Sequence, residues 1–320
     1  MKSTTGTGAA TTATDSDLDT RRPFTRADAL AAGISPRQLR GSRFRRIFRS
    51  VLIDASVVVT PRVHAEAAWC VFDPEQSFLS HTSAARMHGV PIPTLPDEHV
   101  TVLHPNLRRP RPGIVCHVVS QAKVIVRDGI RVSAHAQMFV ELSSLLPLVD
   151  LVVVGDNLVR TGRVTLADLV NFCETAQLPY AAKARHAASL VRDRVDSPME
   201  TRLRLLIVLA GLPEPQVNLS LRTVDGEVVR RYDLSYPEVR VIIEYDGRHH
   251  IERIDQWEAD LERREAIDDD HWRILVIVAA DIFKRPERTL GRIVRLLRSR
   301  RLPGLPRRLS DDWRPNFPGR

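Results

Sequence analysis

The last third of the chain constrains the fold most, because the order of its predicted elements is clear. A helix is predicted over 198–210, strands over 217–223, 228–234 and 239–245, a helix over 253–267, a strand over 273–278 and a helix over 288–300. Asp225-Gly226 is a typical hairpin turn between the first two strands. The last helix has apolar residues at helical spacing, which gives it one face to bury. The order αβββαβα predicts a mixed α/β domain.

The remaining sequence predicts an α/β multidomain protein. Residues 1–20 are predicted to be a disordered tail because they offer almost nothing to bury. In residues 21–60, Thr25 can cap a helix over 27–32 that Gly33 ends, and Ser35-Pro36 can start a second helix. Two short helices followed by a basic, apolar strand predict a winged helix-turn-helix domain. Residues 61–195 predict a small α/β and helical middle domain, 196–302 the αβββαβα domain, and 303–320 a basic, proline-rich tail.

Positive charge is concentrated at the two ends of the chain. Residues 21–50 contain nine arginines and one acidic residue, and residues 284–320 contain twelve basic and three acidic residues. Each segment alone matches or exceeds the net charge of +8 for the whole chain, so the rest is acidic. Basic ends are typical of a protein that binds a polyanion, since each phosphate contact releases a counterion. The alternative is a compositional bias toward arginine, but clustering favours nucleic acid, and DNA is the expected partner.

Composition also excludes several classes of protein. The most apolar stretch, 145–154, is interrupted by Pro147 and Asp150, so no transmembrane helix is expected. The N-terminus lacks the apolar core of a secretory signal. The three cysteines, Cys70, Cys116 and Cys173, are far apart and fit neither a disulfide scaffold nor a thiolate zinc site. We expect a soluble, cytoplasmic protein.

Three carboxylates are predicted to meet on one sheet face. Alternation places Glu244 and Asp246 on the same face of their strand, and the predicted hairpin register sets Asp233 opposite Glu244. Like charges directly opposite each other destabilise a sheet, and a divalent cation with oxygen ligands would offset the repulsion. Gly247 then bends the chain toward His249 and His250. The alternative is a solvated, negatively charged strand end with Gly247 as an ordinary turn.

These residues carry a resemblance to the PD-(D/E)XK nuclease superfamily, and more closely to its very-short-patch-repair-like (Vsr-like) endonuclease domains. It extends over about 105 residues and rests on these segments: Ser197-Pro198-Met199-Glu200, Tyr232-Asp233-Leu234, Ile243 to His250, Asp260 with Arg263, and His271 to Leu275. It implies metal-dependent cleavage of DNA phosphodiesters with Mg²⁺ or Mn²⁺, with Asp233 and Glu244 as metal ligands. Asp246 stands where the superfamily has lysine. In the Vsr-like branch, carboxylates and a nearby histidine take over its work. The resemblance therefore implies that Asp246 is both a metal ligand and a catalytic residue, and that His250 is the catalytic base.

Some of these residues have structural explanations as well. Ser197 and Glu200 match a capping box, whereas the resemblance directs Glu200 toward the metal as a catalytic residue. Asp260 and Arg263 are expected to form a structural pair one helical turn apart. Trp257 and Trp272 are expected in the core.

The N-terminal half is similar to AbiEi-like type IV antitoxins. Residues 24–33, Arg37-Gln38-Leu39-Arg40 and the basic strand resemble their winged-helix domain, and Ser80 to Gly89 resembles the domain that follows. In a winged helix the second helix enters the major groove, so Arg37, Gln38, Arg40 and Arg43 would contact bases or phosphates. Arg45, Arg46 and Arg49 would hold the DNA backbone. A solvated basic helix is the alternative, and His81 and His88 are expected to be structural.

Two functions follow from these resemblances. The first is a DNA-binding, divalent-metal-dependent endonuclease, acting in DNA repair or phage defence. The alternative is an antitoxin-like transcriptional regulator with a cognate toxin partner, in which the nuclease-like domain is not catalytic.

Overall fold

The computed structural model describes residues 18–222, 228–247 and 271–319, which form an α/β protein with three sheets. Contacts divide the chain into two compact units. The first comprises residues up to 87 with 95–132, and the second comprises 88–94 with the residues from 133 onward. Among the described residues, no helix combines the length and apolarity needed to cross a membrane.

The first unit begins with two capped helices and a small antiparallel sheet. The elements are β1 (Phe24–Thr25), α1 (Arg26–Ala31), α2 (Pro36–Leu39), β2 (Phe44–Phe48) and β3 (Val51–Asp54), with sheet order β1-β3-β2. Thr25 and Ser35 cap α1 and α2 through complete capping boxes, and Gly33 after α1 has φ +80°. The predicted caps and turn are therefore confirmed, because they depend on contacts only a few residues apart.

A five-stranded sheet follows in the first unit. The elements are α3 (Pro61–Trp69), β4 (Ser77–Leu79), α4 (His81–His88), β5 (Glu98–Val102), β6 (Ile114–Val118), β7 (Val124–Arg127) and β8 (Ile130–Ser133), with sheet order β6-β5-β4-β8-β7. Strands β5 and β6 are parallel, whereas β4 and β5 are antiparallel. The sequence predicts a helix over 63–71, a helix within 80–89 and strands over 99–104 and 114–119, which correspond to α3, α4, β5 and β6. It does not predict β4, β7 and β8, which have only three or four residues each.

The second unit starts with a helical layer. Its helices are α5 (His135–Leu142), α6 (Leu148–Arg160), α7 (Leu166–Thr175), α8 (Ala181–Ser189) and α9 (Pro198–Leu209). A buried ion pair fastens α9 to α6: Arg204 lies 3.2 Å from Asp156, which also accepts a hydrogen bond of 2.8 Å from the Thr201 hydroxyl. Both charged side chains are almost fully buried, and Arg204 also lies 3.0 Å from Glu214, so removing Arg204 would leave the buried Asp156 carboxylate without a counter-charge. This pair fixes the helix that carries Glu200.

The last sheet packs beside α9 with the predicted strands. The elements are β9 (Gln216–Arg222), β10 (Val228–Tyr236), β11 (Val241–Tyr245), β12 (Arg273–Ile277), α10 (Ala279–Phe283) and α11 (Pro286–Ser299), with sheet order β12-β11-β10-β9. The helix predicted over 253–267 lies outside the described residues, as do Trp257, Asp260 and Arg263. The sequence missed the short helix α10. Trp272, expected in the core, is half-buried.

Residues after α11 are irregular, as predicted, but they are held against the second unit. Trp313 and Phe317 are 4% and 3% exposed, and the Ser310 amide donates a 3.0 Å hydrogen bond to the Ala210 carbonyl at the end of α9. The segment is therefore part of the folded unit, since two large aromatic side chains are removed from water.

Candidate functional site

Asp233 lies at the junction of the two central strands of the last sheet. The pairs Leu234–Ile243, Ser235–Ile242 and Tyr236–Val241 confirm the predicted hairpin register, and continuing it sets Asp233 opposite Glu244. The Asp233 carboxylate is half-buried and accepts a 2.8 Å hydrogen bond from the Tyr245 amide. This hydrogen bond therefore connects β10 to the last residue of β11.

Glu200 reaches the same region from the first turn of α9. Its amide donates a 3.2 Å hydrogen bond to the Ser197 hydroxyl, as the capping box predicts. Its carboxylate, however, accepts a 2.9 Å hydrogen bond from the Asp196 amide, one residue before the cap. Glu200 is only 7% exposed, so its side chain turns into the domain.

Charge interactions show that Asp196, Glu200 and Asp233 lie near one another. Burial raises the pKa of Glu200, and the charges of Asp233 and Asp196 raise it further. Burial also raises the pKa of Asp233, with an added contribution from Asp196, although the Tyr245 amide opposes the shift. Within the described residues, neither Glu200 nor Asp233 has an ion-pair partner. The sequence analysis missed Asp196, whose only signal was its position directly before the helix cap.

Glu244 and Asp246 extend the acidic surface at the end of β11. Glu244 is half-buried and Asp246 is exposed. The Asp246 amide donates a 2.8 Å hydrogen bond to the Ile277 carbonyl, so the pairing with β12 continues past the last residue of β11. His249 and His250, the predicted imidazoles, lie outside the described residues.

The donor chemistry of this site fits a hard divalent cation, since every candidate ligand atom is a carboxylate oxygen. Across the described parts of the chain, however, the one group whose three ligand atoms all lie within 4.8 Å of one another is made of histidines in the first unit. Asp233, Glu244 and Asp246 as ligands of Mg²⁺ or Mn²⁺ therefore stay a prediction.

The predicted DNA contacts form an exposed basic surface on the first unit, in and after α2 and on β2. Arg37, Arg40, Arg46 and Arg49 are exposed and, within the described residues, have no ion-pair partner. Gln38 takes part in the capping box of α2. Its side-chain oxygen accepts hydrogen bonds of 2.8 and 2.7 Å from the Ser35 amide and hydroxyl.

Two of the predicted DNA contacts have structural roles. Arg45 donates hydrogen bonds of 3.0 and 2.7 Å to the carbonyls of Ala55 and Val57, which fixes the chain after β3. Arg43 lies 3.8 Å from the Asp54 carboxylate and above the Phe44 ring. The exposed, unpaired arginines are thus the stronger candidates for phosphate contacts.

The chain is similar in sequence to relatives whose names assign no function. It is 26% identical over 207 residues to uncharacterized proteins of two strains of Mycobacterium tuberculosis, which covers 64% of this chain and 76% of each relative. No family model matches the chain. The function must therefore be inferred from the side chains themselves.

Proposed function

We propose that the protein is a DNA-binding, divalent-metal-dependent endonuclease. In this proposal the two capped helices and the β2–β3 hairpin form a winged helix that holds duplex DNA. The unit built on α9 and the last sheet is a restriction-endonuclease-like domain that hydrolyses phosphodiesters.

The observation that carries the proposal is the group of carboxylates around Asp233. Glu200 and Asp233 are withdrawn from water beside a third acid, Asp196, without an ion-pair partner in the described residues. Burying uncompensated negative charge is unfavourable, so such a group is typical of a site that a cation or a proton neutralises. Perturbed carboxylates also cluster at functional sites more often than elsewhere.

Each residue has a defined part in this proposal. Asp233 and Glu244 would hold Mg²⁺ or Mn²⁺, with Asp246 as a further ligand and Glu200 supporting the site from α9. The bound ion would supply charge neutralisation at the phosphodiester and lower the pKa of a water. His250 would accept the proton of the attacking water, because Asp246 occupies the position where the superfamily has lysine.

The exposed basic surface of the first unit supports duplex DNA as the partner. Phosphate contacts by exposed arginines fix a protein on duplex DNA without reading its sequence. Arg37, Arg40, Arg46 and Arg49 present charge that no described acidic residue neutralises.

A non-catalytic regulator is the second candidate, and Asp246 is the observation that favours it. An acid in place of the expected lysine removes the cation that would orient the attacking water. In that case the second unit would bind DNA or a cognate toxin without cutting, as the AbiEi-like resemblance implies.

The test is cleavage of supercoiled plasmid and of single-stranded DNA by the purified full chain with Mg²⁺, with Mn²⁺ and with chelator. Metal-dependent nicking that Asp233→Asn abolishes supports the endonuclease. DNA binding without nicking under any of these conditions, in protein that is folded by circular dichroism, contradicts it and favours the regulator.

A further inference from the structure

Three histidines from separate segments of the first unit meet beside its five-stranded sheet. His81 is the first residue of α4, His99 lies on β5 and His117 lies on β6. Each offers a ring nitrogen, and these three atoms all lie within 4.8 Å of one another. Strand order brings them together, because β5 and β6 are adjacent and His117 pairs with Thr101, two residues after His99.

The rings are packed closely. Nδ1 of His99 lies 2.9 Å from Nε2 of His117. The ring of His81 is stacked 3.9 Å from that of His117 and 5.1 Å from that of His99. With metal–nitrogen bonds of about 2.0–2.1 Å, donors around a tetrahedral ion lie roughly 3.3 Å apart. The three rings are nearly parallel, with interplanar angles of 13°, 15° and 26°, so the ring planes would rotate to turn all three nitrogens onto one ion.

Polar neighbours hold the His81 ring in place. Nδ1 of His81 lies 2.9 Å from the Ser80 hydroxyl, which accepts a 2.8 Å hydrogen bond from the Thr101 hydroxyl. Hydrogen bonds of this kind orient the ligating rings of metal sites.

The backbone at His81 is also strained. Its φ of +48° lies in the left-handed region, which is unfavourable for a residue with a Cβ. This conformation places the ring at the junction between β4 and α4. Strain of this kind persists where the surrounding structure requires one side-chain position, and it clusters at functional sites.

Burial keeps the three imidazoles in the form that binds metal. His81 and His99 are 8% and 5% exposed, whereas His117 is half-buried and gives the group one side toward solvent. Burial lowers the pKa of all three rings, that of His81 to about 2 and that of His99 to about 4. The nearby cation Arg86 is paired with the buried carboxylate of Glu98 but still lowers the pKa of His99 further, and the charge of Arg108 lowers the pKa of His117.

We propose that His81, His99 and His117 together bind one divalent transition-metal ion, with Zn²⁺ as the best fit, and leave a coordination position open on the His117 side. Imidazole nitrogens suit zinc, cobalt, nickel and copper, whereas Mg²⁺ prefers oxygen. The site differs in chemistry from the carboxylates of the second unit, and it does not depend on the proposed nuclease activity.

The experiment is a titration of the full, chelator-treated chain with Co²⁺ and Zn²⁺ in the presence of excess Mg²⁺. The Mg²⁺ competes for carboxylate sites but not for imidazoles, so it isolates the histidine site. We expect one tightly held ion per chain, visible by the absorption bands of nitrogen-ligated Co²⁺ and by the metal retained after desalting. We also expect Zn²⁺ to raise Tm, since it binds only the folded state.

Matched variants assign the ligands. His117→Ala and His99→Gln should each weaken Zn²⁺ binding by at least ~100-fold, as removing a ligand costs no less than removing the groups that orient it. His104→Ala, which removes an exposed histidine of the same unit, should bind as the wild type does. Circular dichroism of the metal-free proteins checks that each variant is folded.

Two results would overturn the proposal. If the folded wild type retains no Co²⁺ or Zn²⁺, the group is a stack of hydrogen-bonded histidines only. If His117→Ala and His99→Gln retain as much metal as His104→Ala, the ion binds elsewhere in the chain.

Discussion

At the residue scale, the Asp233 carboxylate has a proposed role and a structural one. It is proposed to hold a cation, and it accepts a hydrogen bond from the Tyr245 amide. A substitution at this position therefore changes both the charge of the site and the junction between β10 and β11. Asparagine keeps a hydrogen-bond acceptor where alanine does not, so the two variants separate these effects.

Asp233→Asn and Glu244→Gln should each abolish metal-dependent nicking and leave the fold intact. Asp233→Ala should abolish nicking too, and it should lower stability by about 1 kcal/mol relative to Asp233→Asn, since the Tyr245 amide loses its acceptor. Plasmid nicking and thermal unfolding measure the two effects. Normal nicking by both Asp233→Asn and Glu244→Gln would show that the metal site lies elsewhere.

Glu200 gives a pH-dependent prediction. Its pKa in the folded protein is raised above its ordinary value of 4.5, so the folded state holds the proton more tightly than the unfolded state. Any stabilisation from that proton is present below pH 4.5 and is lost as the pH rises through the raised value. Glu200→Gln, which mimics the protonated form, should therefore unfold at a higher temperature than the wild type at pH 7 and at the same temperature near pH 4.

Mg²⁺ should reduce or reverse the difference in melting temperature between Glu200→Gln and the wild type at pH 7. A bound cation would stabilise the wild type, whereas Glu200→Gln offers one charge less to the site. Thermal unfolding with and without Mg²⁺ makes the comparison. Equal melting temperatures for the two proteins at pH 7 and pH 4 would show that Glu200 is not destabilised by its surroundings.

At the scale of elements, the segment after α11 differs most from what its composition suggests. Prolines and basic residues predict an irregular tail, but Trp313 and Phe317 are buried and Ser310 bonds to the end of α9. Arg314 lies over the Trp313 ring and pairs with Glu287 of α11. The segment thus contributes to the core of the second unit in addition to its charge.

Trp313→Ala should destabilise the second unit by about 3 kcal/mol, which is typical of removing a large buried aromatic side chain. Arg307→Ala with Arg308→Ala is the matched control, because both arginines are exposed and the pair changes charge without changing the packing. Chemical denaturation measures both. A Trp313→Ala protein as stable as the control would show that the segment does not stabilise the unit.

At the scale of the whole molecule, the basic N-terminal segment does not stand apart from the sheet that follows it. Phe48 packs against the apolar core of the five-stranded sheet, Arg22 pairs with Glu66, and the Cys70 thiol donates to the Pro23 carbonyl. Residues 21–60 and the strands after them therefore belong to one unit. Deleting the segment would uncover core side chains, so charge substitutions are the better test of DNA binding.

Arg37→Ala with Arg40→Ala should weaken duplex binding and reduce the slope of log affinity against log salt by about 2, roughly one for each arginine that no longer binds a phosphate. Both side chains are exposed and unpaired within the described residues, so Tm should stay unchanged. Arg185→Ala, an exposed arginine of α8, is the control. An unchanged slope would show that α2 does not hold DNA and would leave the C-terminal arginines as the anchor.

Sequence by itself determined the features that depend on neighbouring residues. The helix caps at Thr25 and Ser35, the turn at Gly33 and the register of β10 and β11 were all predicted. Caps arise from contacts three residues apart, and alternation fixes which side chains share a strand face. The placement of Asp233 opposite Glu244 follows from these local rules.

Only the tertiary structure decided which distant residues meet. No local pattern indicates that Glu200 comes near Asp233, or that Trp313 is buried. His81 was expected to be structural, and it does bond to Ser80, yet the strand order β6-β5-β4 also brings it to His99 and His117. These contacts join residues far apart in the chain, and they form only because burying apolar surface selects one arrangement of strands and helices.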